Sequence, residues 1–418
     1  SYNIISSAVH TDINPLGGIL KNFTIAQPTG VINATYNNNT INLAKSSTSG
    51  AVTGISIEGM SPALSTAAIN VNNNLINSID VSGAGSSSAI TGISNSSASG
   101  VLNINNNTVR GCTSTGSTAG ARFTGITNTG AVVNNININD NKLGDAIAGA
   151  ISYSVFTNAP VYGIYNTQHP VTCSVSISNN DISGIVHSMG SASIQVYIGN
   201  IGSGQVGNLL IDGNTFTNLS VDTTSGIAFI AREGHMTATG TAQCSNNSIV
   251  GSFTNNYAGA TPSTMYFYFT QQIPSQSVNG SVVTVTNNYF SNVLVKGPVS
   301  IIGFYDLEGV STINGPAKTY TGNGITNITM STGSIYAMYM NNSGRVVCST
   351  NVVSNITTGG FIAGIWHGST NGQGPDHVSN NTVSNLASGS ANVVGIMAGS
   401  LGVPNLTVSG NVVSGLSS

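Results

Sequence analysis

Twelve asparagines recur at intervals of 28 to 41 residues along a chain of 418: Asn39, Asn74, Asn107, Asn141, Asn180, Asn214, Asn247, Asn288, Asn323, Asn351, Asn381 and Asn411. Each closes a short phrase, such as LNINNNTV, VSISNNDI, LLIDGNTF or VTVTNNYF. Self-similarity at such a period marks a solenoid, in which one supersecondary unit stacks on copies of itself. No other feature constrains the fold as tightly, because each coil can bury its apolar side only against its neighbours.

The residues around each asparagine define the unit. Three positions earlier stand Val71, Ile104, Ile138, Ile177, Cys244 and Val285, among others, and two positions later Ile41, Ile76, Val109, Phe216 and Phe290. Five positions earlier the residue is usually apolar, with Lys318 and Asp376 as exceptions. Apolar residues two apart and rich in β-branched types predict a strand with one buried face. The residue just before the anchor is Asn, Asp or Gly in eleven of twelve copies, Thr350 being the exception. Those types accept a left-handed backbone and predict a bend. Four positions after the anchor, Gly184, Asn218, Asn292, Asn327, Asn355, Asn385 and Gly415 predict a second bend. A third strand carries an apolar pair around glycine, as in VTGI at Gly54, FTGI at Gly125, IIGF at Gly303 and IAGI at Gly364. The distance from anchor to glycine varies from 12 to 22 residues, which assigns the variation to a loop.

Equivalent residues of successive parallel coils lie about 4.8 Å apart. A carboxamide carries donors and an acceptor together, so stacked copies can satisfy one another. Aspartate would stack like charges, and leucine would leave the corner's backbone groups unpaired. The anchors therefore predict an internal asparagine ladder, with Asn166 as a site outside it.

On these residues the chain resembles the right-handed parallel β-helix proteins over about residues 15–418. The resemblance implies an all-β, right-handed parallel β-helix of three-strand coils, about twelve in number. Residues 1–418 would form a single solenoid domain, a segment of a larger protein or the protomer of a fibre. That family includes pectate-lyase-like enzymes, phage tailspikes and bacterial surface adhesins, and fold alone chooses none of them. In texture the chain is similar to solenoid segments of large secreted surface adhesins of the Bacteroidota type.

Composition narrows the choice. Only 5% of residues are charged, against a usual level near 25%, while 54 are Asn and 51 Gly. A hydrophobic fraction of 39% with strict patterning argues against disorder. Net charge is −3 with no basic stripe, so nucleic-acid binding lacks its electrostatic footprint. No apolar run reaches membrane-spanning length, which predicts no membrane insertion. A Ser/Thr/Asn surface with few lysines points to an extracellular or cell-surface location. The opening SYNIISSAVH carries no signal peptide and reads as a mature or excised segment. The last anchor lies seven residues from the end without a polar cap, which predicts further protein or self-association into a fibre or homo-oligomer. Cys244 and Cys348 occupy the same inward position three coils apart, roughly 14 Å, beyond disulfide reach. With Cys112 and Cys173 they are expected to be buried free thiols.

Candidate chemistry is sparse. Arg232, Glu233 and His235, then Gln271 and Gln272, then Asp306 and Glu308 fall on successive coils. Placed on an outer face, Asp306 and Glu308 would share one side of a strand, with Arg232 roughly 10 Å from Glu308. Glycosidase carboxylates stand about 5 to 9.5 Å apart, so this set could cut a polysaccharide; otherwise it is scattered surface charge. The loop HGSTNGQGPDH offers His367, Asp376 and His377 as a candidate metal site or as incidental polar residues of a glycine-rich loop. His10, His169 and His187 stand alone. No nucleophile-elbow, phosphate-loop or HExxH motif is present. Aromatics gather at Tyr266, Phe267, Tyr268, Phe269, Phe304, Tyr305, Tyr336 and Tyr339. Their outward members, with Tyr268 and Tyr305 foremost, would suit carbohydrate stacking or a protein partner. The leading expectation is a non-enzymatic extracellular structural or adhesive β-solenoid, with no catalytic, cofactor or metal residue assigned. Its expected partner is a carbohydrate or another cell-surface ligand. The alternative is a polysaccharide lyase or glycoside hydrolase of the β-helix class, including a tailspike-like depolymerase.

Overall fold

Strands follow one another with no helix between them, and every recorded strand pairing is parallel. The computed structural model describes residues 3–6, 16–22, 33–46, 49–59, 67–82, 89–115, 121–147, 149–157, 160–168, 173–189, 194–271, 280–307, 316–341, 345–369, 375–400 and 405–418. The chain forms two compact units, Ser1–Val206 with Asn214–Ser225 and Gly207–Gly213 with Gly226–Ser418. Each is a parallel β-solenoid with three strands per turn.

In both units one strand leads into the anchor, one trails it, and one carries the glycine. Unit 1 repeats this from Asn33–Asn37, Asn39–Lys45 and Val52–Glu58 onward. Unit 2 repeats it from Val282–Thr286, Tyr289–Val295 and Val299–Asp306 onward. The solenoid has about nine such turns rather than the twelve that the anchors predict. Asn214 and Asn247 are reached through the long strands Gln195–Asp212 and Ile227–Ser245, where the glycine strand runs straight into the leading strand. After Asn411 only the trailing strand Val412–Ser417 follows. Counting anchors therefore overstates the number of complete turns.

The ladder is continuous within each unit. In unit 1 each amide Nδ2 donates to the Oδ1 of the next anchor, from Asn39 to Asn74 at 2.8 Å and on through Asn107, Asn141 and Asn180 to Asn214. In unit 2 the same bonds run from Asn247 through Asn288, Asn323, Asn351 and Asn381 to Asn411 at 2.9–3.0 Å. Each Oδ1 also accepts from the backbone N–H of the preceding anchor, as Asn141 does from Asn107 at 3.0 Å. The second Nδ2 proton goes to the carbonyl three residues before that preceding anchor, as from Asn180 to Ile138 at 2.8 Å. Two donors and two lone pairs are all used. Only an amide can do this; a carboxylate lacks the donors.

The predicted bends carry the backbone that asparagine tolerates. All twelve residues before the anchors have positive φ, from 54° at Asn287 and Thr350 to 69° at Gly322. Thr350 keeps the bend despite its branched Cβ, a strained choice for that region. The second bend is likewise left-handed at Asn292, Asn327, Asn355 and Asn385. The interior is the stack of aliphatic rows: Ile41, Ile76, Val109, Leu143 and Ile182 in unit 1, and Phe290, Ile325, Val353 and Val383 in unit 2, are at most 1% exposed. Such burial stabilises by about 1.5–3 kcal/mol per side chain. All four cysteines are buried and free, as expected.

A second buried ladder lies in unit 1 and corrects the assignment of Asn166. Asn95 donates to Asn128, Asn128 to Asn166 and Asn166 to Asn200 at 2.7–2.8 Å, all four fully buried. Asn95, Asn128 and Asn166 end their glycine strands, while Asn200 lies within the long strand Gln195–Asp212. The phrases ITGISN, FTGITN and VYGIYN carry that signal three residues after the glycine.

Both ladders should be equally sensitive to substitution. Asn180→Leu and Asn128→Leu each orphan buried partners, at about 1–3 kcal/mol per group. Asn135→Ala, at an exposed position, should cost almost nothing. Denaturant melts of the three variants check this, and an Asn128→Leu shift no larger than that of Asn135→Ala would contradict the second ladder.

Candidate functional site

The outward aromatics of unit 2 are set by a slip in strand alternation. In Val299–Asp306 the burial pattern runs in, out, in, out and then places both Gly303 and Phe304 inward. The next residue, Tyr305, points out and Asp306 points in. Glycine permits the slip because the backbone comes close to the neighbouring coil there. At Gly125 of unit 1 a Cβ would stand 2.7 Å from the Gly163 carbonyl oxygen and 2.7 Å from Leu143. A slip of one residue moves every following side chain to the other face.

The slip builds an aromatic row on the glycine face of unit 2. Phe269, Tyr305, Tyr339 and Trp366 are register partners on four consecutive coils, and Met397 follows. Their ring centroids are 5.7, 5.6 and 6.1 Å apart, with interplanar angles of 14°, 39° and 27°. Separations of this size are too long for full face-over-face overlap, so the rings are offset like shingles; Tyr305, Tyr339 and Trp366 are half-buried and Phe269 is buried. Tyr266 stacks beside Tyr305 at 5.5 Å, and Tyr336 meets Tyr339, Trp366 and Phe361 edge-on or tilted. Burial and the neighbouring phenols Tyr266 and Tyr339 push the Tyr305 hydroxyl above its usual pKa, and burial does the same at Tyr266. Among the described side chains, the outward positions of these strands carry no charge. The row is uncharged, amphipathic and partly exposed.

Tyr268, expected on this face, is instead fully buried. It lies inside with Phe267 and Phe304, edge-on to Tyr320 at 6.5 Å. Trp366, a member of the row, is not among the sequence candidates. Its place in IAGIWHGS, two residues after Gly364, is the signal that identifies it.

Of the charged candidates, the described Arg232 and Asp306 face the core rather than an outer groove. Arg232 is 3% exposed and donates from Nε to the Tyr268 hydroxyl at 3.2 Å and from NH2 to the Thr270 hydroxyl at 3.5 Å. Asp306 is fully buried. It accepts from Lys318 Nζ at Oδ1 at 3.1 Å and from the Tyr320 hydroxyl at Oδ2 at 2.8 Å. Lys318 is an exception to the apolar rule, and its partner across the corner is a carboxylate. Asp376, the second exception, accepts the Val346 backbone N–H at 2.8 Å and meets His367 Nε2 at 3.2 Å, both side chains fully buried. His377 alternates to the outer side. Glu308, Gln272, His10 and His169 lie outside the described residues, as do the side chains of Glu233, His235 and Gln271. The expected outer placement of Arg232 and Asp306 is thus replaced by an interior row: Arg232, Thr270, Asp306, Met340 and His367 are successive register partners facing the core. Among the described residues no group of His, Cys, Asp and Glu is arranged to hold a metal ion.

No family model matches the chain, and no curated protein does. Among the described residues no helix is long and apolar enough to cross a membrane.

His187, isolated in sequence, packs its ring 5.4 Å from Tyr153 in the core of unit 1 and is 1% exposed. Burial pulls its pKa down to about 3. In the unfolded chain it binds a proton near pH 6.5. Between those values the unfolded state holds the extra proton, so stability falls as pH drops, by up to about 1.4 kcal/mol per unit from this group. Above pH 6.5 the residue has no effect on the slope. Stability measured from pH 7 to 4 should therefore decline less steeply in His187→Phe than in the unmodified chain. Parallel curves would contradict the assignment.

Proposed function

We propose that the chain is a non-enzymatic, extracellular adhesive segment of a larger surface protein, and that it binds a neutral glycan along the aromatic row of unit 2. The observation that carries this reading is the row itself: Phe269, Tyr305, Tyr339 and Trp366 in register on consecutive coils, the last three half-buried on the outward side. A sugar ring offers an apolar face of C–H groups to an aromatic ring and hydroxyls to the tyrosine oxygens at its edge. One ring per coil suits an extended polymer, whose sugars recur along its length. The absence of charge among the described outward side chains favours neutral over uronic-acid polymers, because nothing among them would neutralise a carboxylate.

Burial of Arg232 and Asp306 supports the non-enzymatic side of the reading. A lyase needs a base beside the substrate, and a hydrolase needs two carboxyls within reach of it. Both described members of the candidate set have partners inside the core instead. The extracellular assignment rests on a surface poor in charge and rich in hydroxyls and amides, with 9 Lys and Arg in 418 residues.

Affinity electrophoresis against neutral and uronic-acid polysaccharides, with a reducing-end and unsaturated-product assay on the same mixtures, tests the proposal. Retardation by a neutral polymer without products is expected. Tyr305→Ala or Trp366→Ala should weaken it about tenfold, while Tyr289→Ala, an exposed tyrosine on the trailing face, should not. Products formed by the unmodified chain, or binding indifferent to all three changes, would overturn it.

A further inference from the structure

The buried pair Lys318 and Asp306 has the arrangement of two groups set to condense. Lys318 leads into Asn323 on the leading strand, and Asp306 ends the glycine strand before it. Nζ stands 3.1 Å from Oδ1, with both side chains at 0% exposure. In their rows Lys318 lies between Val283 and Val346, and Asp306 between Thr270 and Met340. The Tyr320 hydroxyl holds the other carboxyl oxygen at 2.8 Å.

We propose that Lys318 and Asp306 join spontaneously in an intramolecular isopeptide bond. The step requires one proton to pass from the Lys318 ammonium to the Asp306 carboxylate along their 3.1 Å contact. That transfer yields a neutral amine, which is nucleophilic, and a neutral carboxylic acid, which can be attacked. The Nζ lone pair attacks Cγ, and a carbon–nitrogen bond forms. The negative charge developing on Oδ2 meets the Tyr320 hydroxyl, a donor already aimed at it. Oδ1 then leaves as water, carrying the proton it received first and a second proton from the nitrogen. From carboxylate and ammonium to amide, the balance is the loss of one water, with no oxidant or cofactor. At 0% exposure of both side chains, the amide would be shielded from bulk water. Fixed proximity replaces external activation, since Nζ is held 3.1 Å from an oxygen of the carboxyl group it attacks.

The bond would tie the end of the glycine strand Val299–Asp306 to the leading strand Ala317–Thr321. It would act as a covalent staple in a chain whose four cysteines are all free. The inference is independent of glycan binding, since the pair faces the core and the aromatic row faces out.

Mass spectrometry of the intact, purified chain after denaturation tests it, followed by sequencing of proteolytic peptides. The unmodified protein should fall one water short of its sequence mass and yield a branched peptide joining residues 306 and 318. Lys318→Met should have its full sequence mass whether or not it folds. A full sequence mass in the unmodified chain, with the Lys318 amine open to acylation once denatured, would overturn the proposal. So would a missing water traced to another position without the branched peptide.

Discussion

A single side-chain group, the stacked carboxamide, sets the register of everything else. At interior anchors such as Asn141 and Asn288 one amide gives two protons and accepts two, all within 3.1 Å. This satisfies a corner where the backbone turns left-handed and would otherwise bury unpaired polar groups. The cost of losing one amide falls on four groups: the next anchor's oxygen, the preceding anchor's backbone N–H and its Nδ2–H, and a carbonyl of the preceding coil. Such a constraint fixes both the spacing of the coils and the phase at which each strand enters the core. The aliphatic rows two residues after and three residues before the anchor are buried because the anchor is pinned.

The coil was legible in the sequence because the anchor is polar, constant in type along the chain and flanked by apolar positions at fixed offsets. The bend before it was legible too, and even Thr350 adopts it. What escaped was the phase of the glycine strand. Simple alternation from Val299 places Tyr305 inside and Asp306 outside; the slip at Gly303 reverses both. The same slip hides Tyr268 and turns Phe269 outward. The candidate groove and the candidate aromatic face both follow from the uncorrected parity, which is why one dissolved and the other changed members. The second ladder at Asn95, Asn128, Asn166 and Asn200 is hard to see for a different reason: it spans only part of the chain, so its period is weaker than that of the twelve anchors.

The few charges have a common logic. Lys318 and Asp376 occupy a row that is otherwise apolar, and each finds a partner across the same corner, Asp306 for one and His367 for the other. Removing either member alone would leave a buried group uncompensated, which is costlier than never having had the pair. A chain with so little charge on its surface nevertheless commits part of it to the interior. On the described glycine strands of unit 2 the outward side is left to hydroxyls and the aromatic row, a chemistry suited to neutral ligands.

Side-chain hydrogen exchange tests the central claim most directly. Free asparagine amide protons exchange rapidly with solvent, whereas those of a buried ladder are released only when a coil opens. In protein labelled with nitrogen-15 at asparagine alone, transferred to deuterated buffer, the account predicts a set of carboxamide signals that outlast the rest by orders of magnitude. The set should include the anchors Asn107, Asn141 and Asn180 in unit 1 and Asn323 and Asn351 in unit 2, all at most 1% exposed. Uniformly fast loss of every asparagine side-chain signal, while backbone amides of the strands stay protected, would contradict it.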